Sequence, residues 1–118
     1  MLMQVLIKDK ISKRFAVSTE DGDKIYHIII GNFLKKEKVT LDFEGITLMT
    51  TAFLNAAIGQ LYSNNQYSSE FLNNYLSLIN VEEQDAHLFR LVVKRAKEYF
   101  ANKDGFEKNS NDSIYGDD

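Results

Sequence analysis

The sequence predicts an α/β domain in which short strands alternate with crossing helices. Short β-rich segments, at residues 2–8, 39–43 and 77–79, are separated by longer stretches whose apolar residues recur at helical spacing. Those stretches open on Ser, Thr or Asn, the residues that cap helix N-termini. A length of 118 residues suffices for one core and is short for two ordinary domains.

Taken in order, Leu2-Met3-Gln4-Val5-Leu6-Ile7-Lys8 reads as a strand, and residues 14–17 as a second extended stretch. Ser18 and Thr19 offer capping oxygens, with Glu20 and Asp21 placed to suit a helix dipole, before Ile25, Ile28, Ile29 and Phe33 mark one helical face. That helix should end near Lys36, where Lys35, Lys36 and Lys38 complement its C-terminus. Val39, Leu41 and Phe43 alternate, which predicts a strand with one buried face that stops at Gly45. Residues 52–62 are apolar on nearly every side, so their helix needs more than one neighbour, and the stripe Ala52, Ala56, Gly59 allows a close approach.

Ser68 or Ser69 caps a shorter helix through Glu70, Phe71, Leu72 and Tyr75, leading into a strand at 77–79. Asn80 with Glu83 resembles a capping box that opens a helix of about five turns. Acids at its start, and Lys94, Arg95 and Lys97 toward its end, match the dipole, and Phe89, Val92, Val93, Ala96, Tyr99 and Phe100 form its core face. Residues 103–118 lack sustained periodicity and read as a flexible, acidic, polar tail beyond a domain of residues 1–102.

Composition narrows the function classes. Hydrophobic residues at 44% and charged residues at 26% are ordinary for a globular protein, and no apolar run approaches a bilayer span. The absence of cysteine removes disulfides, thiol catalysis and thiolate metal sites, and two isolated histidines, His27 and His87, leave little for zinc. The start of the chain reads as a strand rather than a secretory signal, so a cytoplasmic location is expected. Of 14 Lys+Arg and 17 Asp+Glu, 12 of each fall before residue 103, leaving the body neutral and without a field for phosphate-backbone binding. The stripe Arg90, Lys94, Lys97 is offset by Glu83 and Glu98 and reads as a solvated face. No glycine-rich phosphate loop is present. Asp42 and Glu44 could form an acid/base pair, but no nucleophile or metal partner accompanies them, and an Asp beside a turn more often bonds loop N–H groups. No cofactor and no catalytic or metal residue is assigned.

The segment Leu41-Asp42-Phe43-Glu44-Gly45-Ile46, followed by Thr50-Thr51-Ala52-Phe53-Leu54-Asn55, resembles the STAS-like domains, relatives of anti-sigma-factor antagonists. It is most similar to a small bacterial branch of unknown function. The resemblance implies four to five short strands in a mixed sheet with helices mainly on one face. It also implies a regulatory, non-enzymatic task performed by protein contact, with a GHKL-type ATPase or serine/threonine kinase as partner. By that resemblance Thr51, and beside it Thr50, corresponds to the phosphorylated position of the antagonists, although Thr50 and Ala52-Phe53 depart from the usual Asp and Gly. Residue chemistry agrees that a phosphate at Thr51 would meet helix N–H groups, while the plain alternative is that a threonine here only caps the helix. The expected partner surface comprises Asp42, Met49, Ala52, Phe53, Asn55, Ala56 and Gly59. Two other readings stand beside this one: an oligomerising structural subunit, built on the small-residue helix and the tail, and a weak nucleotide or small-ligand binder.

Overall fold

The first strand, β1 (Leu2–Leu6), stops where alternation gives way to the four-residue spacing of Ile7 and Ile11, both fully buried. Residues 7–11 therefore turn into a short helix, α1 (Ile7–Ile11), where the sequence reading continued the strand to residue 8. Ser12 ends α1 in a left-handed conformation, φ 60°, with its N–H bonded to the Lys8 carbonyl. Next come β2 (Phe15–Ala16), α2 (Thr19–Leu34), β3 (Lys38–Asp42) and β4 (Leu48–Met49). A continuous helical rod follows, made of α3 (Thr51–Leu54), a π-helical segment (Asn55–Gly59) and α4 (Gln60–Ser63). The chain continues through α5 (Ser69–Tyr75), β5 (Leu76–Ile79) and α6 (Glu83–Lys108). This computed structural model describes residues 2–63 and 67–108, with side chains described up to residue 98.

Side-chain caps fix the starts of α2, α3 and α5. Ser18 Oγ accepts from the Asp21 N–H at 3.0 Å, and Ser68 Oγ from the Phe71 N–H at 3.0 Å, as their positions in the sequence suggest. Asn80 does not cap α6. It adopts φ 59°, its side chain is drawn to Asp42, and the first-turn amides of Asp85 and Ala86 bond the Glu82 carbonyl instead. The helix it precedes continues to Lys108, so the first six positions of the expected tail are helical, and the remainder, 109–118, lies outside the described residues. The side chains of Tyr99 and Phe100 also lie outside them, while Phe89, Val92 and Ala96 are buried as the spacing requires.

Among the described residues five strands form two parallel sheets, β1-β3-β5 and β2-β4, rather than one mixed sheet. Every connection between paired strands includes a helix, which returns the chain to the same end and makes each pairing parallel. The helices lie on one face of the larger sheet: Val5, Val39 and Leu41 join Ile25, Ile29, Phe33, Leu54 and Leu72 in the core. Residues Leu2, Gln4, Ser77 and Ile79, which share the opposite face by register, are exposed. The central strand is nonetheless buried on both faces, since Thr40 and Asp42 are covered as well as Val39 and Leu41. Alternating hydrophobicity showed only one of those faces.

The rod is clamped from two sides, as its all-round apolarity demands. Ala56, Ala57, Ile58 and Gly59 are all buried, a full turn packed mainly against α2 and α6. At Gly22 a Cβ would stand 2.5 Å from the Phe53 carbonyl oxygen and 2.7 Å from Ala56 Cβ. The smooth surface is thus used in a helix contact within the chain. Gly22→Ala is expected to lower unfolding free energy by about 2 kcal/mol, as overpacking does, while Gly31→Ala, at a position with open space, should be neutral or stabilising. Urea unfolding of both variants checks this.

Candidate functional site

The threonines sit where β4 feeds the rod. In the small sheet Phe15 pairs with Leu48 and Ala16 with Met49, and the Thr50 N–H extends the pairing by donating to the Ala16 carbonyl at 3.1 Å. Thr50 Oγ1 donates to the Val17 carbonyl at 2.8 Å and accepts the Phe53 N–H at 3.3 Å. Thr50 is therefore the helix cap, and its hydroxyl is fully engaged. Thr51 follows at the first helical position, half-buried, with its hydroxyl outside the capping bond. Since β2 leads through Ser18 into α2, two helix starts lie side by side here.

The face that Ala16 and Met49 turn inward is core, with the two residues 0% and 7% exposed. Phe15 and Leu48 point outward, each 53% exposed, and form an apolar pair on the strands leading into α2 and α3. The sequence reading missed both. Their signal was only the strand period relative to Ala16 and Met49, and a two-residue strand is too short for a period to stand out.

The expected partner surface divides sharply. Ala52 and Asn55 are exposed. Met49 is buried on the inner face of the small sheet, and Phe53, Ala56 and Gly59 are buried, Phe53 completely, where the rod packs against α2 and α6. They are covered in the folded chain, and of the small-residue stripe only Ala52 is exposed. The cationic stripe lies along α6 around a shallow depression lined by Phe89, Arg90, Val93, Lys94, Lys97 and Glu98. Lys97 Nζ stands 5.4 Å from the Tyr62 ring centroid, over the end of the rod.

Asp42 is a structural hub. Its Oδ1 accepts the Glu44 N–H at 3.0 Å and the Asn80 amide at 2.9 Å, and its Oδ2 accepts the Gln4 amide at 3.1 Å. These bonds tie together the end of β3, the turn after it, β1 and the residue following β5. The Asn80 amide, then the Glu44 N–H, hold the carboxyl below its ordinary range against the opposing effect of burial, with Gln4 and Lys8 adding to the lowering. The carboxylate faces amide donors and Glu44 is exposed, so the two do not form an acid/base pair. Among the described residues no group of three His, Asp or Glu side chains is placed to hold a metal ion.

A family model described as a STAS-like domain of unknown function matches residues 21–86, from the first turn of α2 to the first turn of α6. The chain belongs to this STAS-like family. Its Asp-Phe turn and both threonines fall inside the match, and β1, α1 and β2 lie before it. No curated protein and no solved structure matches the chain. Among the described residues no helix is long and apolar enough to cross a membrane.

The hub of this STAS-like domain has a measurable titration. The folded pKa of Asp42 lies below its unfolded value near 3.8. Its contribution to stability is complete above that value and is lost as pH falls through the folded pKa. Asp42→Ala should cost about 2 kcal/mol or more at neutral pH by stranding its donors. Asp42→Asn should flatten the acid limb of a plot of unfolding free energy against pH.

Proposed function

We propose that the chain is a non-enzymatic regulatory module that binds a protein partner through the surface formed by β2, β4 and the start of α3. The observation that carries this reading is the exposed pair Phe15 and Leu48, set on the strands that lead to Thr51, Ala52 and Asn55. Two large apolar side chains held in register on paired strands provide anchors for a partner, and the polar residues around them form a rim. Fold membership alone names no activity, so the reading rests on this surface.

Phosphorylation of Thr51 is the switch in this reading. Thr50 is committed to its cap and would lose two bonds if modified, whereas Thr51 stands next to it with its hydroxyl outside the cap. A phosphate there adds about 1.5 to 2 negative charges at the N-terminal end of the rod, where helix N–H groups stabilise it. The same charge would disfavour an apolar or acidic partner face. The family resemblance suggests a GHKL-type ATPase or serine/threonine kinase as that partner.

Phe15→Asp and Leu48→Asp should each weaken partner binding at least tenfold, with unfolding free energy changed by only about 0.5 kcal/mol, as expected of exposed sites. Titration calorimetry with the partner and thermal melts of the free chain provide the two readouts. Unchanged affinity in both variants rejects the surface. Incubation with kinase and ATP, followed by peptide mass spectrometry, should place phosphate on Thr51; phosphate confined to other residues rejects the switch while leaving the surface standing.

A further inference from the structure

We propose that two copies of the chain pair antiparallel through the outer edge of β1, centred on Gln4, joining two three-stranded sheets into one of six strands. Among the described residues β1 hydrogen-bonds to β3 alone, so its other edge presents a row of backbone donors and acceptors. Natural edge strands are protected by charges, prolines or bulges, and Leu2-Met3-Gln4-Val5-Leu6 contains no charge and no proline. Leu2 is 62% and Met3 40% exposed on it.

The occupant follows from the pattern of the strand. A two-fold axis through Gln4, perpendicular to the sheet, sets Leu2 opposite Leu6 of the second copy, Met3 opposite Val5, and Gln4 opposite Gln4. Apolar residues meet apolar residues, and amide meets amide. Residues of one face meet residues of the same face, so the helices of both copies remain on one side of the joined sheet. The Gln4 amide gives one N–H to Asp42 and retains a second N–H and a carbonyl oxygen for its counterpart. The other edge of the sheet is a poorer match: centred on Ser77, the same operation pairs only residues 76–78 of β5 before running into α5. Pairing through β1 does not depend on the partner surface proposed above, which lies on the other sheet.

Light scattering across a wide concentration range should show the chain passing from monomer to dimer. Gln4→Lys can still donate to Asp42 but sets two cations opposite each other across the axis, and should raise the dimer dissociation constant at least tenfold. A thermal melt of the dilute variant verifies that it folds. Because the chain has no cysteine, Gln4→Cys and Ser77→Cys each carry a single thiol for a short bis-maleimide reagent. Crosslinking of Gln4→Cys, and little of Ser77→Cys, supports the proposal. A wild-type chain that stays monomeric throughout, a dimer that forms unchanged in folded Gln4→Lys, or crosslinking through Ser77→Cys instead, overturns it.

Discussion

The close approach of α2 to the rod that follows β4 is the constraint on which the remaining geometry depends. Gly22 brings its backbone against the Phe53 carbonyl and Ala56 with no room for a side chain between them. Because β2 runs into α2 through Ser18, and β4 into α3 through Thr50, packing the two helices side by side also sets the two strands side by side. Strands of two residues have little stability of their own. Their pairing is a consequence of helix packing, and it turns Ala16 and Met49 inward and Phe15 and Leu48 outward. The candidate partner surface is therefore positioned by a contact on the opposite side of the elements that carry it.

The larger sheet has a different anchor. A carboxylate in the covered centre of a sheet is costly unless its oxygens are bonded, and Asp42 meets that demand with three N–H donors from three segments. Asn80 satisfies the geometry by entering the left-handed region, which asparagine tolerates better than most residues. Gly45, at φ +84°, makes the adjoining turn beneath the Lys8 side chain, where a Cβ would come within 2.8 Å of Lys8 Cδ. The Asp-Phe turn of this STAS-like domain is thus a point of attachment for the strands.

The two anchors separate the interior from the surfaces open to other molecules. Internal packing consumes the apolar and small residues of the rod, leaving Ala52 and Asn55 at its exposed side. Large apolar side chains remain exposed on β1, β2, β4 and β5, and at Leu34 at the end of α2. The fold itself is shared across a STAS-like family of unknown function and so names no activity for this chain.

The helices and most of their caps were legible in the sequence because their causes are local: the spacing of Ile25, Ile29 and Phe33, and the hydroxyls of Ser18 and Ser68, act within a few residues of one another. The same holds for the bond between Asp42 and the turn that follows it. Asn80 was misread because its local pattern fits a cap while a carboxylate distant in the chain takes its side chain. Phe53 and Ala56 were assigned to a partner surface through the family resemblance, whereas packing against α2 covers them both. By itself the sequence determined the alternation of elements, the starts of α2 and α5 and the family turn, all governed by short-range sterics and hydrogen bonding. Only the tertiary structure decided that the strands divide into two parallel sheets, which threonine caps and which stands beside the cap, and which apolar residues remain outside, because each depends on contacts between residues far apart in the chain.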